Sequence, residues 1–145
     1  MQEKIIHIKQ NNIALLKQFI SNMGSSSNTF RYFENRKISC IKKHLLTVLI
    51  LKDEEPVAYG HLDVEQSNIW LGVCVIEAQK GFGYGKKIMT YLTKYAKDNK
   101  LKEIILSVDK NNIGAIRMYE KFGFLTISEK KNIKFMNLQI GEKNG

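Results

Sequence analysis

The sequence predicts a single-domain α/β protein: a mixed, mainly antiparallel twisted sheet flanked by helices on both faces. Three observations carry this. The apolar periodicities run β, α, α, then three strands, then α, β, α, β, β. The three middle strands are joined by short polar turns, which makes a meander. A glycine-rich loop then links an apolar strand to an amphipathic helix and a further strand, which makes a βαβ crossover.

Each element has its own signal. "KIIHIK" (Lys4–Lys9) reads as a short first strand. Residues 13, 15, 16, 19, 20 and 23 are apolar and fit one helix face, with Asn11 or Asn12 as its cap. "GSSSN" (Gly24–Asn28) is a flexible break. Thr29–Leu45 opens with aromatic residues and reads as one or two short helices. "LLTVLILK" (Leu45–Lys52) and "VAYGHLDVE" (Val57–Glu65) are strands of a hairpin turned at "DEEP" (Asp53–Pro56). "IWLGVCVI" (Ile69–Ile76) is mostly apolar, as a central strand should be.

The glycine loop follows. Ile88, Met89, Leu92, Tyr95 and Ala96 then line one face of a helix over Tyr84–Asp98. "EIILSV" (Glu103–Val108) is the next strand. Ile113–Phe122 is a short helix with Gly123 at its C′ position. Phe124–Ile140 forms a final hairpin.

The 145 residues suffice for one domain with one core and are too few for two ordinary ones, so residues 1–145 are expected to form a single domain. No apolar stretch approaches the length of a membrane span, and the first ten residues lack the apolar core of a signal peptide. A cytoplasmic protein with no membrane partner is the expectation. Cys40 and Cys74 have no CxxC spacing, and His7, His44 and His61 share no metal-ligand spacing. No metal is expected. The net charge of +9 raises nucleic acid, an anionic membrane or a small polyanion as partners. The lysines are scattered, and no zinc-finger or RNP-type motif occurs, so nucleic acid is set aside.

"QKGFGYGKK" (Gln79–Lys87) carries glycine at 81, 83 and 85. A strand that ends in glycines and enters a helix is a general anion site, because unpaired N–H groups and the positive end of the helix dipole face the ligand. Two nucleotide templates fail. The P-loop pattern G-x-x-x-x-G-K-[ST] would put its first glycine on Lys80 and its hydroxyl on Lys87. The dinucleotide pattern G-x-G-x-x-G fits Gly81 and Gly83 but meets Lys86 at the third glycine.

A third template fits. Lys80–Gly85 resembles the acyl-CoA loop [QR]-x-x-G-x-[GA] of the GNAT superfamily of N-acetyltransferases, with Lys80 at the Gln/Arg position. "VCVIEAQKGFGYGKKIMTYL" is similar to the family's strand-loop-helix unit. "LSVDKNNIGAIRMYEKFGF" is similar to its next unit, with N-x-x-A-I at Asn112–Ile116, then Tyr119, then "KFGF". The resemblance covers Ile69 to Phe124 and implies the GNAT fold and acetyl-CoA as acyl donor.

The resemblance assigns roles by position. The N–H groups of Lys80, Gly81, Phe82, Gly83, Tyr84, Gly85 and Lys86 would hold the pyrophosphate, with Phe82 and Tyr84 turned back into the protein. Val73, Cys74 and Val75 would offer free backbone groups to the pantetheine arm, one N–H serving as oxyanion donor. Asn112 matches a cofactor-contacting residue and also reads as the N-cap of the helix at Ile113. Tyr119 matches the general acid; a phenol suits protonation of a departing thiolate. Many relatives carry a Glu in the strand before the loop, which this strand lacks. Tyr59, His61 and Asp63 share one face of the neighbouring strand, leaving His61, Glu77 or water as the base. "TFRYF" places Phe30, Arg31, Tyr32 and Phe33 where the family meets its acceptor. Three aromatics and an arginine suit a ring or sugar with an anionic group.

The implied function is acetyl transfer to a primary amine of a small molecule, an amino sugar among the candidates. A non-catalytic acyl-CoA-binding module and a protein or peptide N-acetyltransferase are the alternatives, and a homodimer is left open.

Overall fold

The computed structural model describes residues 2–141. Seven strands form one sheet in the order β1-β2-β3-β4-β5-β7-β6. They are β1 Glu3–His7, β2 His44–Lys52, β3 Glu55–Glu65, β4 Asn68–Val75, β5 Glu103–Asp109, β6 Leu125–Lys130 and β7 Ile133–Gln139. Three α-helices accompany them: α1 Ile13–Ser21, α2 Tyr84–Asp98 and α3 Ile113–Lys121. Neighbouring strands are antiparallel except β4 and β5, which α2 connects as a parallel crossover. Among the described residues, no helix is long and apolar enough to cross a membrane.

Two hairpin turns build the meander. Asp53 and Glu54 have φ of 50° and 70°, and Gln66 and Ser67 have φ of 51° and 69°. Two consecutive left-handed residues match the right-handed twist of the flanking strands. No glycine occupies these turns; short polar or charged side chains at exposed positions take the conformation instead.

Strand alternation divides the core into two layers. Val48 and Ile50 of β2, with Ala58 and Leu62 of β3, face Ile88, Met89 and Leu92 of α2. Ile116 and Tyr119 of α3 join that layer. Leu49, Leu51, Tyr59 and Cys74 face the other way and pack on Leu16 and Phe19 of α1. Helices therefore cover both sheet faces, as the sequence predicts.

The stretch Thr29–Leu45 departs from expectation. Only Ile38–Lys43 is helical, as a 3-10 helix, and residues 29–37 are turns and bends. The reason is aromatic packing. The ring centres of Phe30 and Phe33 lie 5.4 and 5.6 Å from Tyr59, and that of Tyr32 lies 4.3 Å from His61. Three near-consecutive rings cannot all face one sheet from an α-helix, whose neighbours turn by about 100°. The "GSSSN" break is likewise ordered, as a 3-10 turn over Gly24–Asn28.

Helix α2 approaches the sheet closely because β3 carries a glycine beneath it. A Cβ on Gly60 would sit 2.5 Å from Ile88 Cγ2 and 3.2 Å from Leu92 Cδ1. Both contacts are fully buried. Gly60→Ala is expected to lose about 1–3 kcal/mol through overpacking. Urea unfolding measures it, and a variant as stable as the parent would show that α2 can move away without cost.

Candidate functional site

The site begins where two parallel strands part. Trp70 opposite Ile105 is the single bridged pair between β4 and β5. Past it the strands diverge toward the end of β4. The phase of the β3–β4 ladder then decides which backbone groups are free. Ile76 N–H donates to Val57 O at 3.1 Å. With Ala58 opposite Val75 and Tyr59 opposite Cys74, alternation turns the backbone groups of Gly72 and Cys74 toward β3. Those of Val73 and Val75 point toward the gap. Sequence reasoning offered Val73, Cys74 and Val75 alike; the Cys74 backbone is instead committed to the ladder. Ser26 takes part of what remains, its buried hydroxyl donating to Val75 O at 2.6 Å. Val73 is left with both groups facing the gap.

Beyond the end of β4 lies the glycine loop. Gly81 and Gly83 have φ of +87° and +84°, in the left-handed region that favours glycine. A Cβ on either would meet nothing within 4 Å and would project into open space. The loop then enters α2, whose cap Gly83 has no side chain to offer. The N–H groups of residues 81–86 have no backbone acceptor, while Lys80 N–H donates to Glu77 O at 3.2 Å. The expected cradle therefore begins one residue later, at Gly81. Tyr84 is buried as expected, whereas Phe82 is 65% exposed and lies near the Lys52 ammonium, 5.7 Å from its ring centre. Phe82 can contribute only its backbone.

A cavity of 580 Å³ opens in front of this loop, lined by Lys80, Lys86, Val73, Asn112 and Tyr119 among others. Gln79 also lines it, and its buried Oε1 has no hydrogen-bond partner. An orphaned acceptor beside free N–H groups and an open glycine cradle fits a ligand with phosphates and amide donors, as CoA has.

A second cavity of 430 Å³ lies toward the aromatic loop, lined by Phe30, Tyr32, His61, Trp70 and Phe135 among others. The two cavities share Thr29, Phe30, Val73, Asn112 and Tyr119. Their meeting point is the gap between β4 and β5. Helix α3 brings Tyr119 there. Asn112 starts this helix by accepting Ala115 N–H at 3.4 Å, so it is an N-cap and a cavity wall at once. Tyr119 is 7% exposed, and burial, with nearby Cys74 adding to it, pushes its pKa well above the ordinary phenol value. The phenol stays protonated through the neutral range. The Cys74 thiol is itself pushed up to about 12 by burial, so it holds its proton too.

Other expected residues sit differently. Arg31 lines the second cavity, yet its guanidinium forks onto Asp109 at 3.0 and 3.2 Å. It ties the aromatic loop to the end of β5 and is not a free cation for an anionic group. Glu77 lines neither cavity; its carboxylate accepts Ser25 N–H at 3.2 Å, which lowers its pKa. Its carboxylate ties the Gly24–Asn28 turn to the end of β4.

Beneath the second cavity lies a polar chain that sequence reasoning missed. Tyr32 O–H donates to Asp63 Oδ2 at 2.7 Å and lies 2.7 Å from His44 Nε2. His44 Nδ1 is 2.8 Å from Thr47 Oγ1. Asp63 accepts only, so the chain has one consistent direction: Thr47 to His44 Nδ1, His44 Nε2–H to Tyr32, Tyr32 to Asp63. Only the shared strand face of Tyr59, His61 and Asp63 hinted at it. Burial depresses the pKa of His44 to about 4, against a partial rise from Asp63. Burial also holds His61 well below its ordinary value, with His44 and Arg36 adding to it.

These shifts set a pH dependence. Both histidines are neutral in the fold but take protons in the unfolded chain below pH 6.5. Stability is fully present above that value and falls as pH drops toward 4. Each histidine contributes a slope of about 1.4 kcal/mol per pH unit within that window. Urea unfolding between pH 7 and 4.5 should show it, and His44→Gln should flatten the profile. An equally steep profile in that variant would remove His44 from the account.

The model of the Acetyltransferase (GNAT) family matches residues 14–124. Spermine/spermidine N(1)-acetyltransferase of Bacillus subtilis (strain 168) is 42% identical over 64 residues, 43% of this chain and 42% of that protein. An uncharacterized N-acetyltransferase of the same organism, YobR, is 39% identical over 57 residues, 39% of this chain and 23% of that one. These matches span less than half of either relative. Among solved structures, a GNAT-family acetyltransferase from Streptococcus pneumoniae superposes with a TM-score of 0.81 at 15% identity, covering 97% of this chain and 100% of that one. YncA of Salmonella typhimurium, solved with its cofactor acetyl-CoA, gives 0.78 at 14% identity, covering 100% and 98%. At such identities the superpositions show a shared fold.

Proposed function

The chain belongs to the GNAT acetyltransferase family, and we propose that it moves an acetyl group from acetyl-CoA to a primary amine of a small molecule. One observation carries this reading: two cavities of different chemistry meet at Val73, Asn112 and Tyr119. The first, with its glycine cradle, takes the donor. The second, walled by aromatic rings, takes the acceptor, and an amino sugar suits such walls.

Bound acetyl-CoA would supply a thioester whose carbonyl carbon is open to attack by a neutral amine. The residues of the chain do the rest. The N–H groups of residues 81–86 hold the pyrophosphate against the positive end of α2. The Val73 N–H, free at the gap, donates to the carbonyl oxygen as negative charge gathers there. Tyr119, kept protonated by burial, gives its proton to the sulfur as the C–S bond breaks, and the proton that the attacking nitrogen sheds on becoming an amide restores the phenol. The ammonium form of the acceptor loses its proton to water in the open second cavity. Phe30, Tyr32 and His61 shape the acceptor's place.

Tyr119→Phe is expected to lower kcat about 100-fold or more while CoA affinity stays near that of the parent. Thiol release across an amine panel, with calorimetric titration of CoA, reads both. Unchanged turnover would remove Tyr119 from proton transfer. CoA binding with no turnover on any amine would favour a non-catalytic acyl-CoA-binding module.

A further inference from the structure

His61 is 2% exposed, and its Nδ1 lies 2.6 Å from the Tyr59 hydroxyl. Either atom could in principle carry the shared proton. The surroundings decide. Tyr59 is fully buried, and its hydroxyl has no other hydrogen-bond partner among the described residues. If Nδ1 held the proton, the phenolic hydrogen would be buried unpaired, at a cost of about 1–3 kcal/mol. With the phenol donating to Nδ1, both are satisfied. Burial raises the Tyr59 pKa well above the ordinary phenol value and keeps His61 neutral. A neutral imidazole that accepts at Nδ1 carries its proton on Nε2.

That nitrogen has a defined place. A Cβ on Gly72 would lie 2.5 Å from both Cε1 and Nε2 of His61. The imidazole edge fills the room that a side chain at 72 would take, one residue before Val73. Nε2 has no hydrogen-bond partner among the described residues, and His61 lines the acceptor cavity with Gly72 and Val73. Nε2 is not among the sealed, unpaired polar atoms, so its N–H is open to the cavity and available to a ligand atom that accepts.

We propose that His61 is a specificity-determining donor: its Nε2–H binds an oxygen of the acceptor, which is therefore an amine carrying a hydroxyl or carbonyl oxygen. An amino alcohol, amino sugar or amino amide belongs to this class; a plain alkylamine or polyamine does not. The proposal rests on the reading of the second cavity as the amine's site. It also reassigns His61. A nitrogen already holding a proton cannot take one from an ammonium, so His61 is not the base the sequence offered. Gly72 is the companion requirement, since any side chain there would displace the ring.

Two measurements test this. Nitrogen-15 NMR of the imidazole at pH 7 reads the tautomer in the free protein. Nδ1 should appear unprotonated and Nε2 protonated, and Tyr59→Phe should weaken that preference. Thiol-release kinetics on matched acceptors, 4-aminobutan-1-ol against butylamine and glycinamide against ethylamine, reads the recognition. The ratio of kcat/KM, oxygen-bearing over oxygen-free, should fall up to about tenfold in His61→Phe, the size of one neutral hydrogen bond. His61→Gln keeps an N–H donor and should recover part of the ratio. CoA titration of each variant confirms the fold. A proton on Nδ1, or a ratio unchanged in His61→Phe, overturns this proposal alone. Turnover of neither member of either pair by a parent protein that binds CoA overturns the transferase reading and this proposal with it.

Discussion

The parting of β4 from β5 is the constraint on which the rest depends. One bridged pair, Trp70 with Ile105, holds the strands together, and past it Val73 faces a gap. In a closed sheet those backbone groups would be spent on a neighbouring strand. Here the gap joins the two cavities, and α3 brings Tyr119 to the same point. The crossover through α2 makes the opening sustainable, because β5 finds its full ladder on the other side with β7. The sheet thus loses a few hydrogen bonds at its centre without losing its continuity.

A second feature is the use of buried polar groups on one side of that gap only. The face under α2 and α3 is apolar apart from the Tyr84, Thr93 and Tyr119 hydroxyls. The face under the aromatic loop buries His61, Asp63 and Thr47. Each of these costs stability unless paired; Asp63 and Thr47 are paired in the Tyr32–His44 chain, and His61 is paired at Nδ1. Tyr32 and Arg31 anchor the loop to β3 and β5 through Asp63 and Asp109. The loop that walls the second cavity is therefore held by polar contacts from two adjacent residues and by the packing of Phe30 and Phe33 on either side of them.

Local chemistry was legible in the sequence. The glycine spacing, the amphipathic α2 and the Asn112 cap follow from residues near one another in the chain, while Tyr119 is marked by the resemblance to the family. What escaped depends on partners far away. Arg31 meets Asp109 across 78 positions, and Ser26 meets Val75 across 49. Thr29–Leu45 reads as one or two short helices, but the rings at its start pack on a strand face that only the fold brings near, and only Ile38–Lys43 is helical. Phe82 is expected to turn back into the protein, yet it is exposed between two left-handed glycines. The hydrogen-bonding phase of β4 is equally silent in sequence: nothing local says that Val73 rather than Cys74 is free.

The central claim is that the donor is held by backbone at the loop and at the gap. Amide hydrogen exchange with and without CoA tests it most directly. Protection should rise at residues 81–86 and at Val73, while Cys74, already paired with β3, should change little. Protection gained elsewhere, with Val73 and the glycine loop unchanged, would contradict the account.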